Sequence, residues 1–107
     1  MSGTTAVPET LRHSQDHKAP LYNVVLLDDD EHTYEYVVEM LIKLFAFGES
    51  DAWNHAVEVD STGRTIVMTC ELPQAEFGRD QIHAYGADPR MPKSKGSMSA
   101  VVEPVPV

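Results

Sequence analysis

The sequence is poor in cysteine, in positive charge and in long apolar segments. Its one cysteine, Cys70, cannot form an internal disulfide, which favours a reducing compartment over secretion. Eight basic residues stand against seventeen acidic ones, and a formal charge of -9 opposes binding to a phosphate backbone. No stretch approaches the roughly 20 apolar residues of a membrane span. We therefore expect a cytoplasmic protein that binds neither nucleic acid nor membranes.

The first twenty residues lack the apolar core of a signal peptide and any helical or strand periodicity. Small, polar, charged and proline residues mix there, and this composition predicts disorder. With 107 residues in total, the chain has room for one hydrophobic core. We expect a disordered arm over 1–20, one folded domain over 21–103 and a tail over 104–107. A small, strongly charged domain is expected to be a monomer.

The pattern of apolar residues in the domain predicts three strands and three helices. The continuous apolar run Val24–Leu27 predicts a central strand that is covered on both faces. Helical spacing of apolar residues predicts a helix over Thr33–Phe47, which Gly48 can end. The later elements are a helix capped by Ser50 and ending near Asp60, a strand over 65–70, a helix from Pro73 to about Tyr85, and a strand over 98–102.

Four consecutive acidic residues, Asp28 to Glu31, join the first strand to the first helix. Neighbouring carboxylates raise one another's pKa and weaken the folded state unless a cation, backbone N–H groups or a helix start offsets their charge. One interpretation is structural: Asp30, Glu31 and Glu35 cap and complement the helix start, and the others face water. The other interpretation is a site that receives a cation.

Other kinds of site share parts of this pattern. A strand that ends in three aspartates also opens phosphoacceptor receiver domains, but too few residues follow Asp28 for five βα units. Asp28, Asp30 and Glu39 fit positions 1, 3 and 12 of a calcium loop, yet Thr33 stands where the loop needs glycine. Cys70, in the middle of a strand, is a buried and unactivated thiol. We expect no metal, no cofactor and no enzymatic activity.

The segments YNVVLLDDDEHTYEYVVEMLIKLF and VEVDSTGRTIV resemble the ClpS family of Clp protease adaptors, over about Leu21 to Val102. The resemblance implies an α+β fold of order β-α-α-β-α-β, with a three-stranded antiparallel sheet packed on three helices. It also implies a non-enzymatic adaptor that docks on the N-domain of a Clp AAA+ unfoldase of the ClpA or ClpC type. Such adaptors deliver N-degron substrates, which carry destabilising N-terminal residues, and their disordered arm engages the unfoldase.

The resemblance implies an amine site made of Asp28, Asp29 and Asp60, where the family has Asn, Asp and His. Both replacements introduce a carboxylate, so the site keeps its ability to accept an ammonium group and becomes more negative. Beside the amine site, the family has a deep apolar pocket for a large first side chain. Its lining corresponds to Leu26, His32, Tyr34, Val37, Ala56, Val59 and Met98.

The implied pocket departs from the family at His32, Tyr34 and Ala56, where the family commonly has Thr, Met and Met. These replacements leave open which of Leu, Phe, Tyr and Trp is preferred as first residue. They also leave open a second function within the family, in which the chain regulates a Clp unfoldase and its acidic pocket no longer binds N-degrons. The apolar lining residues have a structural interpretation as well, as ordinary members of the core.

Overall fold

The computed structural model describes residues 19–106. Nearly all of the expected N-terminal arm therefore lies outside the described residues. The elements are β1 (Leu21–Leu27), α1 (Tyr34–Phe45), α2 (Glu49–Thr62), β2 (Arg64–Glu71), α3 (Leu72–His83) and β3 (Ala100–Pro104). This order and the three-stranded antiparallel sheet confirm the expected α+β fold. Within residues 19–106, no helix is both long enough and apolar enough to cross a membrane.

The strand β1 lies at the centre of the sheet, between β2 and β3, as its apolar run predicts. Both neighbours run antiparallel to it, and Val24 is paired with Met68 on one side and Val102 on the other. Between Val24 and Val25 the pairing with β2 shifts by one residue, which is the signature of a β-bulge. Bulges of this kind generally increase the local right-handed twist of a strand.

The two faces of β1 are covered in different ways. Val24 and Leu26 are fully buried in the main core, whereas Val25 points to the opposite face, is also fully buried and lies outside that core cluster. Arg64 is paired with Leu27, and Glu103 is paired with Asn23. Their side chains meet at 2.6 Å, so this ion pair crosses β1 above Val25. The strand is thus covered on both faces, by packed helices on one and by an ion pair on the other.

The helix α1 begins at a threonine cap. The Thr33 hydroxyl accepts a hydrogen bond from the Tyr36 backbone N–H at 3.1 Å, and Glu35 is the acidic residue of the first turn. Asp30 and Glu31 precede this cap, so Glu35 is the one of the three acids assigned to the helix start that lies in the first turn. Asp28 and Asp29 are exposed, as the structural interpretation expects. At the other end, Ala46 adopts a left-handed conformation with φ 58° and ends the helix.

The boundaries of all three helices differ from the prediction, in part because Gly48 and Ser50 do not have the roles that were expected. Gly48 does not end α1; it is the residue that precedes α2, so Ser50 is not the cap. The helix α2 continues two residues beyond Asp60 and ends at Gly63, whose φ of 90° is accessible to glycine. The third helix has Pro73 in its first turn, as expected, but ends at His83. The last strand starts at Ala100, after the buried Met98.

Candidate functional site

The acidic loop after β1 lies against the C-terminal end of α2. The Asp28 backbone N–H donates to the carbonyl of Gly63 at 3.0 Å, which brings Asp28 close to Asp60 in the last turns of α2. Partial burial, and next the Asp60 charge, raise the pKa of Asp28, and the charges of Asp29 and Asp30 act in the same direction. The neighbouring acids act in the direction expected of clustered carboxylates, and desolvation is the larger cause of the raised pKa of Asp28. The three predicted amine-site residues lie together.

Asp29 is already engaged by its own loop. Its Oδ1 accepts a hydrogen bond from the Glu31 backbone N–H at 2.8 Å. The Nδ1 atom of His32 lies 2.8 Å from Oδ1 and 3.0 Å from Oδ2 of the same carboxylate. The His32 side chain is only 3% exposed, whereas the Asp29 side chain is 33% exposed. One part of the Asp29 carboxylate therefore remains accessible to a ligand from solvent.

Asp60 is engaged by Tyr34, which lies at the start of α1. The Tyr34 hydroxyl donates to Asp60 Oδ2 at 2.6 Å, and its ring contacts Trp53 on α2 with a centroid distance of 5.7 Å. The hydrogen bond to Asp60 is the main reason that the pKa of Tyr34 is raised. Tyr34 thus links α1 to α2 and occupies one oxygen of a predicted amine ligand.

The predicted side-chain pocket separates into two groups of residues. His32 and Tyr34 are partly buried, and each bonds a carboxylate of the amine site. The apolar members all belong to the main core and are at most 3% exposed, so a ligand side chain can enter among them only if the packing shifts. These buried members are Leu26, Val37, Ala56, Val59 and Met98.

The sequence analysis missed Asp88, which lies in the connection between α3 and β3. The residue is 1% exposed, and its Oδ2 accepts hydrogen bonds from the backbone N–H and hydroxyl of Thr33 at 2.7 and 2.8 Å. Its Oδ1 accepts from the Arg90 backbone N–H at 2.9 Å. Burial by itself raises the pKa of Asp88, but these hydrogen bonds outweigh it and hold the pKa below its usual value. Asp followed by Pro89 was a signal of a defined turn.

Further contacts attach this connection, hereafter the 86–97 segment, to the acidic loop and α1. The His32 Nε2 atom lies 2.7 Å from the Gly96 carbonyl, and the Tyr36 hydroxyl donates to the Gly86 carbonyl. Lys93 pairs with Asp30 at 3.4 Å. Arg90 of the same segment pairs with Glu39 of α1, so two bases of the segment are paired with acids of the acidic loop and α1.

Two other kinds of site, a metal site and a cysteine nucleophile, can be compared with the structure. Across residues 19–106, no group of three or more His, Cys, Asp and Glu side chains is arranged to hold a metal ion. Cys70 is partly rather than fully buried in β2, and burial raises the pKa of its thiol. A raised pKa is the reverse of what activates a cysteine nucleophile.

Comparisons with known proteins place the chain in a family. Residues 17–92 match the model of the family described as ATP-dependent Clp protease adaptor protein ClpS. A ClpS adapter of a Synechococcus strain is 32% identical over 65% of this chain and 78% of its own length. The ClpS adapter of Acetivibrio thermocellus is 31% identical over 83% of this chain and 86% of its own length.

The fold agrees with these matches. The solved structure of Agrobacterium tumefaciens ClpS2 bound to L-phenylalaninamide superposes with a TM-score of 0.71 at 24% identity, and the match covers 82% of this chain and all of that one. The family match spans most of the folded domain, including the acidic loop, α2 and the first part of the 86–97 segment. The chain therefore belongs to the ClpS family of ATP-dependent Clp protease adaptor proteins.

Proposed function

We propose that the chain is a non-enzymatic adaptor that binds N-degron substrates and delivers them to a Clp AAA+ unfoldase in the cytoplasm. The observation that carries the proposal is the placement of Asp28, Asp29 and Asp60 together beside a cluster of buried apolar residues. A free N-terminus supplies a cation for the carboxylates and a large first side chain for the apolar residues. The amine site and the pocket thus address two adjacent parts of one ligand.

The electrostatics of the acidic cluster favour a cationic ligand. Desolvation and the charge of Asp60 both raise the pKa of Asp28, and a bound ammonium group would offset the charge repulsion. An ion pair at about 4 Å in an effective dielectric near 20 is worth roughly 4 kcal/mol before desolvation. Burial of a Leu or Phe side chain adds roughly 1.5 to 3 kcal/mol. Both parts of the ligand are therefore needed for useful affinity.

The ligand of the structural neighbour supports the same ligand class. L-phenylalaninamide, bound to Agrobacterium ClpS2, combines a free α-amino group with an aromatic side chain and has no carboxylate. Such a molecule avoids the repulsion that a free amino acid carboxylate would meet beside a row of aspartates. The same reasoning applies to the N-terminal residue of a polypeptide, whose carboxyl group is likewise an amide.

A second function within the family is favoured by two contacts. Asp29 is bound by His32 and Asp60 by Tyr34, and the apolar lining is closed. A site whose acceptors already have internal donors suits a chain that docks on the unfoldase and regulates it without binding N-degrons. This regulator and the N-degron adaptor share the unfoldase N-domain, of the ClpA or ClpC type, as partner.

Fluorescence anisotropy of labelled peptides separates the two functions. Peptides that begin with Leu, Phe, Tyr, Trp or Ala are tested with free and with acetylated N-termini. Adaptor function predicts affinity near the micromolar scale, about -8 kcal/mol, for the large apolar residues, and loss of binding on acetylation. Absence of binding by every free N-terminus contradicts the adaptor function and favours the regulator.

Matched variants assign binding to the acidic cluster. Asp29→Ala removes a predicted amine ligand, and Asp51→Ala removes an exposed acid from the opposite end of α2. We expect the first variant to lose peptide binding and the second to bind as the wild type does. Equal loss in both variants would point to long-range charge instead of a local site. Pull-down with isolated unfoldase N-domains of each type then identifies the partner.

A further inference from the structure

The helix α2 exposes two large apolar side chains on the face that leads to Asp60. Trp53 is 37% exposed and Val57 is 48% exposed. Positions 53, 57 and 60 are four and three residues apart, and this spacing places them on one face of a helix. Within residues 19–106, the main core and the partly buried side chains packed on it include Tyr34 but neither Trp53 nor Val57. These two side chains therefore present apolar surface that the core does not use.

Tyr34 connects this surface to the amine site. Its ring contacts Trp53 with a centroid distance of 5.7 Å and an angle of 60° between the ring planes. Its hydroxyl donates to Asp60 Oδ2 at 2.6 Å. Tyr34, Trp53 and Val57 are hereafter called the aromatic patch. The patch is continuous with a carboxylate of the proposed amine site, so one ligand can contact both.

Asp60 is placed to hold a cationic ligand beside the aromatic patch. Val57 precedes it by three positions, which is about 4.5 Å along the helix axis. Side chains of a helix lean toward its N-terminus, so the Asp60 carboxylate leans over the turn that carries Val57. When an α-ammonium group binds Asp60, the side chain on the adjacent Cα is within reach of Val57 and of the Tyr34 ring.

The buried residues of the predicted pocket are a costlier place for the same side chain. Each is at most 3% exposed, and a close-packed core opens only by giving up existing contacts. These buried residues are Leu26, Val37, Ala56, Val59 and Met98. The exposed members of the aromatic patch need no such rearrangement, because their apolar area already faces water and leaves water when a ligand covers it. The patch is therefore the more accessible of the two apolar surfaces beside the amine site.

We propose that the aromatic patch is the surface on which the first side chain of an N-degron packs, and that it selects aromatic side chains over aliphatic ones. This placement rests on the proposed adaptor function and specifies where the ligand lies. A ring packed on Tyr34 and Trp53 gains edge-to-face or offset-stacked contacts in addition to apolar burial, whereas Leu gains the burial alone. We expect a Phe-initiated peptide to bind roughly two- to ten-fold more tightly than a Leu-initiated one.

Trp53 is the only tryptophan of the chain, so its fluorescence reports directly on the aromatic patch. Peptides that begin with Phe or Leu and contain no tryptophan are titrated into the full-length protein. We expect the Trp53 emission to move to shorter wavelength as the peptide displaces water, and to saturate with the dissociation constant that anisotropy gives. Unchanged emission at saturating peptide overturns the proposal.

Two variants test whether the patch selects the first residue. Trp53→Ala is expected to weaken binding of the Phe-initiated peptide and to remove its advantage over the Leu-initiated one. Phe77→Ala, which removes an exposed aromatic side chain from α3, is the control and should keep both the affinity and the preference of the wild type. Circular dichroism checks that both variants are folded. Equal losses in the two variants, or an unchanged preference in Trp53→Ala, contradict the role of the patch.

The outcomes separate this proposal from the adaptor function itself. If no free N-terminus binds, both fail. If peptides bind and acetylation abolishes binding, but Trp53 emission and the Trp53→Ala variant show no effect, the adaptor function stands and the aromatic patch is not its ligand surface. Emission that responds to protein concentration or to an added unfoldase N-domain, and not to peptide, also overturns the proposal. In that case the patch is covered by a second copy of the chain or by the unfoldase.

Discussion

At the scale of single residues, Asp88 connects the start of α1 to the 86–97 segment. One buried carboxylate accepts hydrogen bonds from Thr33, which caps α1, and from Arg90, which also pairs with Glu39 of α1. Loss of such an acceptor leaves buried donors without partners, and each unsatisfied donor costs about 1 to 3 kcal/mol.

We expect Asp88→Ala to lower the free energy of unfolding by about 3 kcal/mol, because the Thr33 and Arg90 backbone N–H groups lose their acceptor. Urea denaturation measures the change. Asp80→Ala, an exposed acid on α3, serves as the control and should change stability by less than about 0.5 kcal/mol. A similar small effect for Asp88→Ala would contradict the role assigned to this carboxylate.

The lowered pKa of Asp88 predicts a pH dependence of stability. A carboxyl whose pKa is lower in the folded than in the unfolded state contributes stability that is present above the unfolded pKa. That contribution disappears as the pH falls through the lower, folded pKa. We therefore expect the difference in stability between the wild type and Asp88→Asn to shrink on acidification below the usual aspartate range, as urea titrations at several pH values can measure.

If Asp60 binds an ammonium group, as proposed, the Tyr34 hydroxyl competes with that group for the carboxylate. Tyr34→Phe removes the hydroxyl that donates to Asp60 Oδ2 and keeps the ring against Trp53. With one carboxylate oxygen freed, we expect a peptide with a free N-terminus to bind roughly two- to ten-fold more tightly. Anisotropy with the same peptides measures the change. Unchanged or weaker affinity would show that the Tyr34 hydroxyl does not compete for the ammonium group.

At the scale of elements, α1 ends at an alanine in the conformation that usually requires glycine. A left-handed conformation costs an L-residue roughly 1 to 2 kcal/mol, a cost that glycine avoids. We expect Ala46→Gly to stabilise the protein by about 1 kcal/mol in urea denaturation, since φ is 58° there. Ala84, which follows α3 with φ -97°, offers the control, and Ala84→Gly should not stabilise.

The sheet face opposite the main core depends on the ion pair of Arg64 and Glu103. The hydrogen bond from Arg64 lowers the pKa of Glu103, so the pair's contribution to stability is lost as the pH falls through that lowered pKa. Glu103→Gln keeps the side chain above Val25 and removes only its charge, whereas Glu103→Ala also uncovers Val25. We expect thermal melts to show greater destabilisation by the alanine than by the glutamine.

The periodicity of the sequence was enough to predict the number, type and order of the elements. The prediction failed at helix ends. Ala46 adopts a left-handed conformation that an alanine does not predict, and Gly48 precedes a helix instead of ending one. Local patterns describe a residue's neighbours in the chain. Such patterns do not show at which residue the packing of α1 on α2 ends one helix and begins the next.

At the scale of the whole molecule, acidic residues outnumber basic ones by seventeen to eight. The chain has a formal charge of -9, and ions shorten the range of its field to about 10 Å at 0.1 M salt. We expect added salt to weaken binding of peptides with a free N-terminus, because it screens the attraction between the ammonium group and the acids. We also expect added salt to raise the free energy of unfolding, because it screens the repulsion among the acids. Affinity that is independent of salt would exclude a charge-driven amine site.

The sequence resemblance implied an amine site made of Asp28, Asp29 and Asp60, and the fold places Asp28 near both of the other two acids. It did not reveal that His32 and Tyr34 bond two of these acids, because both contacts depend on side-chain geometry. It also missed Asp88, since the loop that carries it has no periodicity to interpret. An alignment by sequence position is enough to propose which acids correspond to a family's ligand-binding residues. It does not reveal which other side chains of the protein hydrogen-bond to those acids.

The contacts of the 86–97 segment also have a consequence for the order of folding. Asp88 meets Thr33 across 55 positions of the chain, and Gly96 meets His32 across 64. Closing such long loops costs chain entropy before any contact repays it, so these contacts are expected to form after the rate-limiting step. Asp88→Ala should then accelerate unfolding and leave the refolding rate nearly unchanged. The acidic loop would acquire its final geometry last, so the candidate binding site would form only at the end of folding.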